Sequence, residues 1–226
     1  MSRKGNSRHI NRFAASRYLK VNRKVSKYIA KPTAGRYPLE NSIALITLLR
    51  EKLGIAANSA EARYIVKNGN VSINGKTIRN ERYPVGFGDT LTLSKSGKSY
   101  KVDVAKKSIV SLQEIKSETK ERTLKVIGKY VGAKNTMMLR LYDGSVIKGK
   151  NDIKVNDSVV VNGNSIKSVI KMQKGAKCYV VKGAHASENG KILEIISGTA
   201  TRNPIVHVEG TTKFRTLLDN IMVTGE

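Results

Sequence analysis

Tryptophan is missing from this sequence, phenylalanine occurs only three times, and a single cysteine, Cys178, stands among 226 residues. One cysteine excludes an intramolecular disulfide framework, and His9, His185 and His207 are too scattered to complete a zinc-ligand set with it. No run approaches the ~18 apolar residues of a membrane span. The strongest periodic stretch, residues 43–53, is broken by Arg50, Glu51 and Lys52. Residues 1–10 are polar and basic, without the apolar centre of a secretory signal. Hydrophobic residues make up 39%, enough to fill several small cores but not one large one. Acid is the other shortage: 17 Asp and Glu stand against 42 Lys and Arg, a formal charge of +25.

A small domain needs a net charge of only about 2–8 for solubility, so this excess points to a polyanionic partner. The excess is uneven. Residues 1–39 hold 11 basic residues and no acid, residues 40–100 hold 9 against 5, and residues 101–226 hold 22 against 12. An anionic membrane is a poor match, because interfacial helices use large apolar anchors that this chain lacks. The same poverty of aromatics argues against a single-strand binder that works mainly by base stacking. Phosphate tracking and shape recognition of nucleic acid fit better.

Residues 1–39 read as a basic arm with one helical stretch, on which Ile10, Phe13, Ala14, Tyr18 and Val21 recur at helical spacing. So short a helix is marginal alone, and 11 uncompensated charges repel one another, so the arm is expected to be disordered until a partner orders it. An Arg- and Ser-rich transit peptide is the competing reading, with Pro32, Gly35 and Pro38 favouring an ordered linker. In residues 40–100 an apolar helix over residues 43–53 is ended by Gly54. A second helix starts at an Asn58 or Ser59 cap, with Ala62, Ile65 and Val66 inward and Arg63 and Lys67 outward. Asn68-Gly69 stops it. Val71 and Ile73 alternate as a strand, Asn74-Gly75 turns the chain, residues 77–79 return, and residues 89–93 add another strand. Beyond residue 100 short strands follow one another with turns at Asp143-Gly144 and Asn162-Gly163, which predicts two small β-barrels, over 101–171 and 172–226.

One segment imitates a phosphate-binding loop: Gly69 through Gly75-Lys76-Thr77. That loop needs four residues between its glycines and must lead from strand into helix, and here the order is reversed. No nucleophile elbow, carboxylate pair or Cys/His dyad appears either. The stretch from Asn58 to Gly75, with Gly88-Asp89 before the last strand, resembles instead the RNA-binding motif of S-four-type domains. Residues 174–195, with Gly183 and Gly190 punctuating the strands, are similar to a KOW motif, in which a required glycine opens the second strand of an SH3-like barrel. Gly190 is expected there to hold a backbone conformation that a Cβ resists. His9 to Ala15, Lys31 to Gly35, the S-four-type unit with Tyr83 to Asp89, a β-rich middle and the KOW-like end occur in the order of the ribosomal S-four-e family, which the chain resembles over nearly its whole length.

The resemblance implies an α+β multidomain fold: a basic arm (1–39), an S-four-type RNA-binding domain (40–100), a central small β-barrel (101–171) and a KOW-type SH3-like barrel (172–226). It implies a structural constituent of the small ribosomal subunit in the cytoplasm, with small-subunit rRNA and neighbouring ribosomal proteins as partners. No cofactor, metal, membrane, small-molecule substrate or catalytic step is implied. The plain N-terminus and compact length suit an archaeal member. RNA would be met by Arg8, Arg12, Arg17, Lys20, Arg23, Lys24, Lys27 and Arg36 of the arm. In the S-four unit it would be met by Ser59, Arg63, Lys67, Asn68, Asn74, Lys76, Arg79 and Arg82, with Gly75, Gly183 and Gly190 as structural glycines. The alternatives are an RNA-modifying enzyme, which would append a large catalytic domain, and a KOW-type transcription factor.

Overall fold

The structure is a computed structural model that describes residues 7–115, 121–163 and 165–225. It is mostly β, and the chain separates into two compact units, residues 1–103 with 109–118 and residues 104–108 with 119–226.

In the first unit residues 7–39 of the arm are folded, contrary to the expectation of a free, helix-forming segment. Strand His9–Asn11 pairs antiparallel with Tyr28–Ala30, and two 3-10 turns, Arg12–Ala14 and Arg17–Leu19, lie between them. The expected helix is cut in two by its own polar residues. Asn11 Oδ1 accepts the Phe13 N–H at 3.1 Å and Ser16 Oγ accepts the Tyr18 N–H at 3.2 Å, so each starts a turn that its successor ends. Ala15, Tyr18, Leu19 and Ile29 are buried, which supplies the apolar area the arm was expected to lack. Arg12 is buried with them: its guanidinium pairs with Glu51 at 2.5 Å and donates to Asn22 O at 2.9 Å and to Ser26 Oγ at 2.8 Å.

The helix expected over residues 43–53 starts later. Ile43–Ala44 form a two-residue strand against Pro84–Val85, and an α-turn at Leu45–Thr47 runs on as π-turns over Leu48–Lys52. Gly54, at φ +65°, ends it, with the Ile55 N–H reaching back to Leu49 O at 3.0 Å. Its buried Leu45, Ile46, Leu48 and Leu49 pack with Ala62 and Val66 of helix Ser59–Lys67. A five-stranded sheet follows, in the order Lys76–Thr77, Val71–Ile73, Thr90–Leu93, Lys98–Ala105, Ile109–Ile115. Alternation places Val71, Ile73, Leu91, Leu93 and Val102 inside. The domain boundary expected at residue 100 falls inside a strand of this sheet, because Thr90 to Leu93 pair with Lys101 to Lys98 across the turn.

The second unit holds two antiparallel five-stranded sheets. In the first, the order is Val146–Lys148, Met137–Leu141, Glu121–Val131, Ser158–Asn162, Ser165–Ile170. The long strand Glu121–Val131 gives its first half to Ser158–Asn162 and its second half to Met137–Leu141, with a bulge between Val126 and Gly128 turning it from one neighbour to the other. Its core is Leu124, Val126, Leu139, Leu141, Ile147, Ile153, Val159 and Val161. The second sheet runs Lys213–Leu217, Ile205–Glu209, Asn189–Ile196, Lys177–Val180, Ile221–Gly225 around Cys178, Val180, Ile192, Val206, Val208, Phe214, Ile221 and Val223. The boundary expected at residue 171 is bridged. Ile170 and Met172 pack on the second core, and buried Asp157 accepts the Met172 N–H at 2.9 Å and the Lys154 N–H at 2.8 Å. Ser158 Oγ accepts the Val223 N–H at 3.1 Å.

Gly190 lies inside strand Asn189–Ile196 and is not among the positive-φ residues, so the backbone conformation expected for it is not what requires glycine. The requirement is space: a Cβ there would stand 2.5 Å from Val208 Cγ1 and 2.8 Å from Glu209 O. Gly75 and Gly183 do take positive φ, +76° and +98°.

Lys125 crosses between the two sheets of this unit and donates to Leu218 O at 2.7 Å. Burial pushes its ammonium pKa down to about 8, Asp219 opposes that shift and Lys182 adds to it. Unfolded, a lysine titrates near 10.4, so between about pH 8 and 10 the unfolded chain holds a proton that the folded chain has released. Stability from this group therefore rises with pH across that window. Burial acts in the opposite sense on the acids, raising Cys178 to about 11 and Tyr142 to about 12, so their contribution falls above about pH 9. The clean comparison is with Lys125→Met: between pH 8 and 9 the parent chain should gain about 1 kcal/mol relative to the variant. Urea unfolding at pH 7, 8 and 9 measures this, and parallel curves would show that the ammonium is solvated.

Candidate nucleic-acid interface

Helix Ser59–Lys67 is held at both ends. Asn58 Oδ1 accepts the Glu61 N–H at 2.9 Å, and Glu61 Oε2 accepts the Ala57 N–H at 2.8 Å, a reciprocal cap of the kind Asn and Glu form at helix starts. At the other end Gly69, at φ +73°, sends its N–H to Val66 O at 3.0 Å, while the Asn70 N–H reaches Ile65 O at 3.3 Å. With Ala62 and Val66 inward, Ser59, Arg63, Tyr64, Lys67 and Asn68 are left exposed.

The hairpin that follows turns at Asn74 and Gly75, both at positive φ, and leaves Lys76, Thr77 and Arg79 exposed beside the helix stop. Arg79 lies against that stop: its Nε would be 3.9 Å from a Cβ at Gly69. The turn is fixed from beneath by Asp89, which is fully buried. Asp89 Oδ1 accepts from Asn74 Nδ2 at 2.7 Å and Oδ2 accepts the Gly86 N–H at 3.1 Å, while Arg36 Nη1 stands 3.4 Å away. Asn74 Oδ1 accepts the Thr90 N–H at 2.9 Å. The sequence singled out Gly88-Asp89 only as part of a motif; the carboxylate turns out to be the group that holds turn, linker and strand together.

The expected contact residues therefore divide. Arg12 faces inward onto Glu51, so its guanidinium belongs to the core of the unit and not to the surface. Asn74 is turned onto Asp89 and Thr90, and Arg36 is half-buried against Asp89. Arg63 is exposed but ion-paired with Glu81. Arg8, Arg17, Lys20, Arg23, Lys24 and Lys27 are exposed on or beside the N-terminal hairpin, and Arg82 is half-buried with its carbonyl accepting from Thr33. Lys52 sits beside Lys20, donating to its carbonyl at 3.4 Å. Burial, then Lys20, push the Lys52 ammonium below its ordinary pKa, so an anion placed there would relieve a like-charge contact. Among the described residues no group of three or more His, Cys, Asp or Glu could hold a metal ion, and no helix is long and apolar enough to cross a membrane.

A capped helix, a glycine stop and a tight Asn-Gly hairpin with cations outward define a basic helix–hairpin module. Residues 45–91 match the family model described as "S4 domain", and residues 96–167 match that described as "Ribosomal family S4e". A protein of Methanosphaera stadtmanae named small ribosomal subunit protein eS4 is 34% identical over all of this chain and 95% of its own length. A protein of the same name from Thermoplasma acidophilum is 32% identical over 95% of this chain and 91% of its own. The crystal structure of the 30S ribosomal protein S4e from Thermoplasma acidophilum superposes with a TM-score of 0.69 at 30% identity, covering 82% of this chain and 96% of that one. The chain belongs to the ribosomal S-four-e family.

Proposed function

We propose that the chain is a structural constituent of the small ribosomal subunit in the cytoplasm, binding small-subunit rRNA and carrying out no catalytic step. The observation that supports this most strongly is the likeness to small-subunit proteins along the whole chain, together with a rigid helix–hairpin whose outward groups are cations. Ser59, Arg63, Lys67, Asn68, Lys76 and Arg79 form the surface offered to RNA, with Arg17, Lys20, Arg23, Lys24 and Lys27 on the N-terminal hairpin as a second one. Both suit phosphate and ribose contacts better than base-edge readout, since the A-form major groove is too narrow for side chains. Neighbouring ribosomal proteins are its other partners. The two sheets of the second unit are read as a central small barrel and a KOW-type SH3-like barrel. The bulged strand Glu121–Val131, which serves two neighbours in turn, supports the first of these.

Affinity for small-subunit rRNA should fall steeply with salt. Each phosphate contact removed should flatten the slope of log affinity against log salt by about 0.7–0.9. Lys67→Ala with Lys76→Ala is the cleaner pair. Arg63→Ala also strips Glu81 of its partner, and that carboxylate would then repel RNA. Filter binding from 50 to 300 mM salt measures the slopes, and a double variant with the parental slope would remove the helix–hairpin from the interface. Co-sedimentation tests the wider reading: the protein should travel at one copy per small subunit, where an RNA-modifying enzyme would be substoichiometric.

A further inference from the structure

The linker that was expected to be ordered forms one wall of a cavity of about 630 Å³ in the first unit, lined by Ser7 and Arg8, the whole of residues 31–39, Ser42 and Arg82. We propose that this cavity is a phosphate site that receives a nucleotide unit of the bound RNA, a deepening that rests on the rRNA-binding reading above.

The charge of the lining carries the argument. Arg8, Lys31, Arg36 and Arg82 line it and no Asp or Glu does. One of the four, Arg36, is partly answered by Asp89 beneath it, at 3.4 Å. No ion pair to a described carboxylate involves Arg8, Lys31 or Arg82. Three cations around one concave space, with no acid among the lining, focus a positive potential into it. A phosphate suits the donor set, because guanidinium forks and an ammonium match its oxygens.

The wall is also rigid. The Thr33 N–H donates to Arg82 O at 2.8 Å and its hydroxyl to the same oxygen at 3.0 Å. The Lys31 N–H donates to Arg8 O at 3.1 Å, which ties two of the cation-bearing residues together through the backbone. Gly35 lies so close to Pro84 that a Cβ would come within 2.9 Å of its Cγ. Tyr37 beneath the linker is buried, with its hydroxyl donating to Phe87 O at 3.1 Å. Pro38, Leu39 and Ala34 give the cavity an exposed apolar margin on which a ribose or base can rest. A volume of this size is that of a small-ligand pocket, larger than a bare phosphate needs.

The test titrates the full-length chain with AMP, adenosine and inorganic phosphate, reading amide shifts by NMR. AMP should shift the amides of Thr33 to Arg36 saturably, adenosine should not, and inorganic phosphate should compete. Lys31→Gln with Arg82→Gln should weaken AMP at least tenfold. Ala34→Glu, which leaves every cation in place and adds an anion to the exposed margin, should do the same even if the double variant folds poorly. Lys67→Ala with Lys76→Ala should leave AMP binding unchanged, which separates this site from the helix–hairpin. Equal shifts from adenosine and AMP, or AMP affinity unaltered by Ala34→Glu, would overturn the proposal. A cavity that takes AMP while its variants bind rRNA with parental affinity would overturn the assignment to bound RNA and leave a free-nucleotide site. Parental rRNA affinity in the Lys67/Lys76 variant instead would count against the helix–hairpin reading.

Discussion

Glu51→Ala should cost about 3–5 kcal/mol and release the N-terminal hairpin from the first unit. The Arg12 guanidinium is 4% exposed and Glu51 is its only described carboxylate partner, so truncating Glu51 leaves a buried cation with nothing to neutralise it. The remaining hydrogen bonds, to Asn22 O, Ser26 Oγ and Tyr28 O, come from the same hairpin and cannot hold it onto the rest of the unit. Amide exchange should then show protection lost across residues 9–30, while helix Ser59–Lys67 keeps its own. Arg17, Arg23, Lys24 and Lys27 would lose their fixed placement, and rRNA affinity should fall although none of them has been altered. Replacing both partners with apolar residues, Arg12→Met with Glu51→Leu, should recover most of the loss, because neither buried charge then remains. Undiminished protection of residues 9–30 in Glu51→Ala would show that Ala15, Tyr18, Leu19 and Ile29 anchor the hairpin unaided.

Gly190→Val should destabilise the second unit by about 1–3 kcal/mol, or more, through overpacking. The new side chain meets Val208 Cγ1 at 2.5 Å and the backbone of Glu209 at 2.8 Å, and a backbone oxygen in a paired strand cannot swing aside as a side-chain tip would. In a unit of this size such a loss lowers the melting temperature by about 3–12 °C. Gly190→Ala separates space from branching: it should cost nearly as much, since the clash begins at Cβ. The experiment calls for the full-length chain, because the Asp157–Met172 and Ser158–Val223 bonds tie the C-terminal sheet to its neighbour. An unchanged melting temperature for Gly190→Ala would mean that strands Asn189–Ile196 and Ile205–Glu209 can part at no cost.

What the sequence showed well is local. The Asn58 cap, the Asn68-Gly69 stop and the Asn74-Gly75 turn each act within a few residues, and each stands where the sequence put it. What it hid depends on partners far along the chain. Helical spacing in residues 10–21 could not reveal that Ile10 pairs with Ile29, or that Arg12 meets a carboxylate 39 residues away. The strand across residue 100 was lost because a boundary was drawn where the S-four motif ends, although Val102 continues the sheet. Gly190 was recognised as necessary for the wrong reason, since a required glycine can serve either a backbone angle or a neighbouring strand, and only coordinates tell them apart. For the candidate interface, exposure was readable for Lys67, Lys76 and Arg79 from the amphipathic pattern. The inward turn of Asn74 was not, because it depends on Asp89 lying beneath the hairpin.

The bond from the Val223 N–H to Ser158 Oγ spans 65 residues. During synthesis, strand Ser158–Asn162 emerges long before the segment that satisfies its hydroxyl and supplies Leu218 O to Lys125. At roughly 5–20 residues per second, that delay is on the order of 3–13 s. For that interval the nascent second unit carries an uncapped sheet and a buried-to-be ammonium still in water, so its closure lags its own first strands by seconds. A stop codon placed before residue 218 should yield a chain whose first unit matures normally and whose second never closes, leaving it to proteases instead of to assembly.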